Sequence, residues 1–189
     1  MPPPVSAHDV AAELRARQPG MLIKKLHKLL YYCQGHHLAV FSDPLFAQDL
    51  EAWDMGPVVA ELWRTEKYSK PTPAPRELGE AELNTICYVL SRYGNLTGHD
   101  LELLSHSEDP WLIADRNRTP GGSARIDPEV ITRYFRDNGH EDDDLDPGVV
   151  SAWLRDTATW QPRGPARPDD MGALRARRDA IVARLTVGG

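Results

Sequence analysis

The sequence predicts a mainly α-helical domain, and three observations support this. Apolar residues recur every three or four positions over most of residues 8–139, the spacing of amphipathic helices. Segments rich in proline and glycine divide the helical stretches. Of the 189 residues, 41% are hydrophobic and 26% charged, as in ordinary globular proteins. We therefore expect a compact helical domain at 8–139 and an appended acidic linker with a C-terminal helical extension at 140–189.

The strongest helical signal lies near the start of the domain. A short apolar stripe predicts a first helix over residues 8–17. Residues 21–41 follow with an apolar stripe wider than a surface helix needs, so we expect this second helix to be central and packed on more than one side. Lys24, Lys25 and Lys28 fall on its other face, which we assign to solvent. Charges on a solvent face make these lysines candidates for partner contacts.

The central helix should end at residues 42–44, because the proline there disfavours helix at the residue before it. Residues 45–55 alternate loosely between apolar and polar. This pattern predicts either a short β-hairpin or an irregular extended segment. We interpret residues 55–57 as a turn and residues 58–68 as a further helix.

Four more helices are expected in the domain, over residues 80–93, 100–105, from 110 onward, and 127–137. Thr97 and Asp127 have the side chains that favour helix starts, with an acidic residue in the first turn that follows each. Beyond the domain, five acidic residues fall within 141–146 and an arginine-rich amphipathic helix is expected over 171–185.

Composition narrows the function classes. No apolar run approaches the ~20 residues that span a bilayer, and no secretory signal begins the chain. Two cysteines, Cys33 and Cys87, lie in apolar surroundings, which indicates reduced, buried thiols. The net charge of −6 argues against nucleic-acid binding, which depends on a basic surface. We expect a cytoplasmic protein that avoids membranes and nucleic acids.

Candidate chemistry rests on one group of residues. Cys33, His36 and His37 are spaced to converge on one helix face, and His106 is a further candidate from a distant segment. A metal- or thiol-dependent enzyme could use them, although zinc needs a specific tetrahedral set. No HExxH, CxxC, phosphate-loop or nucleophile-elbow motif supports that alternative. We therefore expect packed core groups, with no catalytic residue, metal or cofactor.

Two other features have alternative interpretations. Gly121 and Gly122 lie beside Arg116, Arg118 and Arg125, where a loop either cradles an anion or is a solvated surface segment, the commoner case. Five tryptophans are many for this length, and Trp53 and Trp111 are expected mainly in the core, since they follow or precede rigid turns.

Four short segments carry a family resemblance. Residues 25–35 read KLHKLLYYCQG, residues 43–46 read DPLF, residues 51–59 read EAWDMGPVV, and residues 103–111 read LLSHSEDPW. In this order and spacing, over about residues 8–138, they resemble the Panacea antitoxin domain, also called the SocA-like or phage-associated GepA-like domain. The residues that carry the resemblance are Lys25, Lys28, Tyr31, Tyr32, Trp53, Gly56, Pro57, His106, Pro110 and Trp111.

The resemblance implies an antitoxin of a toxin–antitoxin pair that neutralises a cognate protein toxin by direct binding. Toxins in this setting include alarmone-synthetase-like enzymes, and at least one relative is instead a proteolytic adaptor that delivers its toxin to a protease. His27 stands where the family commonly has glutamine, and residues 140–189 match nothing in the domain. A DNA-binding autorepressor acting through the helix at 171–185 is the remaining alternative, and the oligomeric state stays open.

Overall fold

The computed structural model describes residues 5–139, and the fold is mainly α, as predicted. In this range the elements are α1 (Ala7–Arg17), α2 (Ile23–Phe41), β1 (Leu50–Trp53), β2 (Gly56–Val59), α3 (Ala60–Lys67), α4 (Glu80–Tyr93), α5 (Gly98–His106), α6 (Asp109–Arg116), β3 (Ala124–Arg125) and α7 (Pro128–Gly139). The acidic run 141–146 and the helix expected at 171–185 lie outside the described residues, so the extension remains a prediction.

Helix α2 is the centre of the fold, as its wide apolar stripe predicts. Every residue from Leu26 to Leu38 is buried, and α1, α4, α5, α7 and β2 all pack around it. The helix ends where the sequence indicates, at Ser42, which adopts a left-handed conformation with φ 61° two residues before the proline. Because neighbours cover so much of its circumference, α2 has almost no solvent face over its middle turns.

The assignment of the three lysines to solvent is therefore wrong for Lys28 and incomplete for the others. Lys28 is 1% exposed, while Lys24 and Lys25 are partly buried. The physical reason is that β2 and α5 pack against the side of α2 that periodicity alone assigns to water. Charge on a helix face predicts exposure only when no distant segment covers that face.

The extended segment is a β-hairpin, shifted toward the carboxyl end of the expected range. Strands β1 and β2 are antiparallel, with Leu50 opposite Val59 and Trp53 opposite Gly56. Strand β3, too short to leave a sequence pattern, adds to the other edge of β1, giving the order β2-β1-β3. The turn assigned to 55–57 is wrong in register, because Gly56 and Pro57 already belong to β2 and the next helix begins only at Ala60.

The later helices follow their local signals. Thr97 caps α5 in a capping box with Asp100, and Asp127 accepts a hydrogen bond from the Glu129 backbone N–H at 2.8 Å at the start of α7. Cys87 differs from expectation, since it is exposed on α4, whereas Cys33 is buried in α2. The buried face of α4 includes Ile86 and Val89, and Cys87 lies outside this face.

Candidate functional site

The residues that carry the resemblance come together where α2, the hairpin and α6 meet. Nζ of Lys28 donates a hydrogen bond to the carbonyl oxygen of Pro57 at 3.1 Å. Nε1 of Trp111 donates to the carbonyl oxygen of Trp53 at 3.2 Å. The hairpin is thus tied to the central helix on one side and to α6 on the other.

A second group of these residues forms a buried polar cluster in the core. The hydroxyls of Tyr31 and Tyr32 donate to the two carboxylate oxygens of Glu108, at 2.8 and 3.0 Å. Tyr32 also stacks on Tyr93, with ring centroids 4.1 Å apart. Burial raises the pKa of both hydroxyls well above the usual range, so they remain proton donors. Since both phenols are paired, this cluster stabilises the scaffold.

Lys25 is also part of the scaffold. Its Nζ donates to the carbonyl oxygen of Gly94 at 2.5 Å, which satisfies the carboxyl end of α4. Partial burial lowers its pKa from the ordinary value.

A cleft of about 540 Å³ opens beside this junction. Its lining comes from the first two turns of α2, the hairpin, α3 and the loop before β3, and comprises Ile23, Lys24, His27, Lys28, Trp53, Asp54, Met55, Val58, Trp63, Gly121, Gly122 and Ser123. The indole rings of Trp53 and Trp63 meet edge to face at 5.0 Å. Trp53 is only partly buried and forms the cleft wall, so it is a surface residue as much as a core residue. Concave, mainly apolar sites with a few polar groups are typical of ligand or partner binding.

One polar group in the cleft is His27. Its Nδ1 accepts a hydrogen bond from the Val59 backbone N–H at 3.2 Å, which places the remaining proton of the neutral ring on Nε2. Burial lowers the pKa of His27 to about 4, so the ring is neutral near pH 7. Nε2 is buried and has no hydrogen-bond partner among the residues described. His27 therefore presents a spare N–H donor.

The second polar group is Lys28. Burial lowers its pKa to about 7, with Lys24 acting in the same direction and Glu102 opposing it. Gly56, with φ +99°, makes room for this side chain, because a Cβ at residue 56 would lie 2.7 Å from the lysine Cε. No carboxylate in the described part of the chain forms an ion pair with Lys28, so an amine that titrates near neutrality lies against the cleft.

His106 lies next to this region, at the end of α5. Its ring stacks on Trp111 with centroids 4.0 Å apart, and Pro110 in the first turn of α6 precedes that tryptophan. Burial lowers the pKa of His106 to about 4, and its Nε2 is buried without a partner in residues 5–139. His106 is thus neutral near pH 7.

The residues of the enzyme alternative are dispersed among separate partners. His36 Nε2 lies 2.9 Å from the Tyr93 hydroxyl and His37 Nδ1 lies 2.8 Å from Oγ1 of Thr85. Burial raises the pKa of the Cys33 thiol, which makes it a poor nucleophile. Within the described residues, no three His, Cys, Asp or Glu side chains are arranged to hold a metal ion.

The glycine–arginine loop also differs from an anion cradle. Arg118 forms ion pairs with Asp54 and Asp115, and Arg125 pairs with Asp49 at 2.9 Å. The protein's own carboxylates therefore occupy these two guanidinium groups. Gly121 and Gly122 still line the cleft, as part of its outer wall.

The fold and the site define a small helical domain with a short three-stranded sheet. An aromatic cleft lies beside the buried amine of Lys28. The family model described as Antitoxin SocA-like, Panacea domain, matches residues 26–112, from the first turn of α2 into α6. This match confirms the resemblance that the four sequence segments indicate. No curated protein and no solved structure matches the chain. Among the helices described, none has the length and apolar character to cross a bilayer.

Proposed function

We propose that this protein is an antitoxin that neutralises a cognate protein toxin by binding it directly, in the cytoplasm and without chemistry of its own. The observation that carries the proposal is the match of residues 26–112 to the SocA-like Panacea family. The buried histidines and the Cys33 thiol support it, because His36 and His37 are held by separate hydroxyls inside the core and burial raises the pKa of the thiol.

The surface that best fits a partner is the rim of the cleft. Ile23 is 46% exposed and Met55 52% exposed in its lining, and Leu22, next to Ile23 in the chain, is 77% exposed. Grouped apolar side chains beside tryptophans are typical of protein interfaces, which bury about 800 Å² on each partner. The net charge of −6 would also attract a basic toxin at long range.

Co-expression tests the function. The neighbouring reading frame should stop growth when expressed alone and should be harmless when this protein is expressed with it. Growth arrest that persists in the presence of the wild-type protein would contradict the proposal.

Matched variants test the surface. Ile23→Asp combined with Met55→Asp should abolish rescue while leaving the far-ultraviolet circular dichroism spectrum unchanged, because a charge there opposes burial against a partner. Val40→Asp is the control: Val40 is 63% exposed at the other end of α2, ~25 Å away by the helical rise. Equal rescue by both variants would rule out the rim as the contact.

A purified system separates direct neutralisation from proteolytic delivery. For an alarmone-synthetase-like toxin, the class that the resemblance implies, we expect stoichiometric protein to inhibit nucleotide synthesis with no protease present. Inhibition that requires an added protease would favour the adaptor mechanism.

A further inference from the structure

Among the titratable side chains that line the cleft, the donors Lys24, His27 and Lys28 outnumber the one carboxylate, Asp54. Among residues 5–139, His27 has an unpartnered Nε2–H, and the Lys28 ammonium makes a single hydrogen bond, to Pro57. The one carboxylate in the lining, Asp54, is paired with Arg118. The other lining cation, Lys24, is paired with Glu102 at 2.5 Å. The group that would complete this arrangement is an oxygen acceptor with negative charge.

The walls of the cleft point to the rest of such a ligand. Trp53, Trp63, Met55, Val58 and Ile23 supply aromatic and aliphatic surface. The volume, about 540 Å³, falls within the range of about 300–1,000 Å³ that is usual for sites that enclose a small organic molecule. A flat aromatic group packs well against indole rings.

We propose that the cleft binds a small aromatic carboxylate, whose ring packs against Trp53 and Trp63 and whose carboxylate accepts hydrogen bonds from Lys28 and His27. This inference does not depend on the antitoxin function, since it concerns a small molecule rather than a protein partner.

The depth of the amine favours a small molecule over a side chain of another protein. Lys28 is 1% exposed, whereas an aspartate or glutamate on a partner's surface projects only a few atoms beyond its backbone. The chain also preserves the space around the amine, because any side chain at Gly56 would bring a Cβ within 3.0 Å of Nζ.

Binding should be linked to proton uptake. The charged and titratable groups near Lys28 are Glu102, Lys24 and His106, with His27 next to it in the chain, and both histidines stay neutral above pH 6. The pKa of Lys28, about 7 in the empty cleft, rises when a carboxylate pairs with it. Above pH 7 the ligand must therefore bind together with a proton, and its affinity should fall about tenfold per pH unit.

Titration calorimetry of the full chain with 2-naphthylacetate and the neutral analogue 2-naphthylacetamide tests the proposal. At pH 6 the acetate should bind at least tenfold more tightly than the acetamide. Between pH 7.5 and 8.5 the affinity for the acetate should fall about tenfold, whereas the affinity for the acetamide should not change. Comparing two buffers of different ionisation enthalpy should show almost one proton taken up per acetate at pH 8.5 and almost none at pH 6.

The variants Lys28→Met and Lys70→Met assign the effect to its residue. Lys28→Met should lose both the preference for the acetate and the pH dependence, while Lys70→Met, in an exposed loop outside the cleft, should retain both. If Lys28→Met does not fold, the proton uptake measured with the wild-type protein tests the proposal by itself. Equal binding of acetate and acetamide, binding of the acetate without proton uptake at pH 8.5, or no binding of either at millimolar concentration would overturn the proposal.

Discussion

The two halves of α2 are equally buried but differ in how their polar groups are satisfied. In the carboxyl-terminal half, Tyr31 and Tyr32 are paired with Glu108, and His36 and His37 each have a hydroxyl partner. In the amino-terminal half, His27 has a buried nitrogen without a partner among the described residues, and Lys28 has no counter-ion there. One helix thus contains a completed polar core and an incomplete polar site.

This difference separates scaffold from site on physical grounds. A buried polar group with partners contributes modestly to stability and orders its surroundings, whereas one without partners costs free energy. The cost is tolerated where a ligand or partner supplies the missing group, and functional sites are accordingly enriched in such perturbed residues. The carboxyl-terminal half of α2 therefore holds the fold together, and the amino-terminal half is where we propose that binding occurs.

The largest effect on stability should follow when Glu108, which accepts hydrogen bonds from Tyr31 and Tyr32, is replaced. Glu108→Leu leaves two buried phenol donors without partners, each at a cost of about 1–3 kcal/mol. We expect the free energy of unfolding, from urea denaturation, to fall by about 3 kcal/mol. Asp109→Asn, at the exposed next position, should change it by less than about 0.5 kcal/mol. A loss below about 1 kcal/mol for Glu108→Leu would mean that the cluster does not stabilise the fold.

The space around Lys28 provides the next comparison. Gly56 and Gly121 both have positive φ, +99° and +72°, but a Cβ meets Lys28 only at Gly56, and nothing within 4 Å at Gly121. Both alanine variants are strained by their backbone conformation, and overpacking adds to the cost at Gly56 alone. Gly56→Ala should therefore be about 2–3 kcal/mol less stable than Gly121→Ala in urea. Equal losses would show that the lysine moves freely out of the way.

The loss of stability at acid pH tests the lowered pKa of His106. Its folded-state pKa of about 4 lies below the ordinary 6.5, so the unfolded chain takes up the proton first and stability is lost as pH falls between these values. The wild type should lose about 2 kcal/mol more than His106→Phe between pH 6.5 and 4.5, since a pKa unit corresponds to about 1.4 kcal/mol. Phenylalanine keeps the stacking on Trp111. Thermal or urea denaturation curves that shift in parallel for both proteins would contradict a depressed pKa.

The smallest effect concerns Lys28 itself. Its folded pKa, about 7, is below the ordinary 10.5, so the unfolded chain binds more protons above pH 7 and folding becomes more favourable as pH rises. Relative to Lys28→Met, the wild type should gain about 1.5 kcal/mol between pH 7 and 8.5. Urea denaturation of both proteins at the two pH values measures the gain. If the difference in free energy of unfolding between the two proteins were the same at both pH values, the charged Lys28 amine would be solvated, contrary to this prediction.

Local signals in the sequence predicted much of the scaffold. The stripe at 21–41 and the caps at Thr97 and Asp127 depend on neighbouring residues only, and the structure has helices at each. The burial of Lys28 could not be predicted in this way, because the segments that cover it are β2 and α5, far along the chain. Glycine and proline at 56 and 57 suggest a turn, although here the pair begins an edge strand.

The cleft could not be predicted either, because it too depends on segments that are far apart in the sequence. It is formed by residues from α2, the hairpin, α3 and the loop at 121–123, and only their packing creates it. One signal was available: the apolar stripe of α2 is wider than a surface helix needs, which leaves little solvent face for Lys28. Trp53 was expected mainly in the core because it precedes a rigid turn, but its ring lies at the cleft wall together with that of Trp63.

Hydrogen–deuterium exchange of the full chain, alone and bound to the protein encoded by the neighbouring reading frame, tests the division of α2 most directly. Added protection should appear in peptides that contain residues 22–28 and 53–59, at the cleft. Peptides around Tyr32 and Glu108 should exchange slowly in both states, because the scaffold is complete without a partner. Protection confined to α4 or α7, with the cleft peptides unchanged, would contradict the assignment of binding to the amino-terminal half of α2.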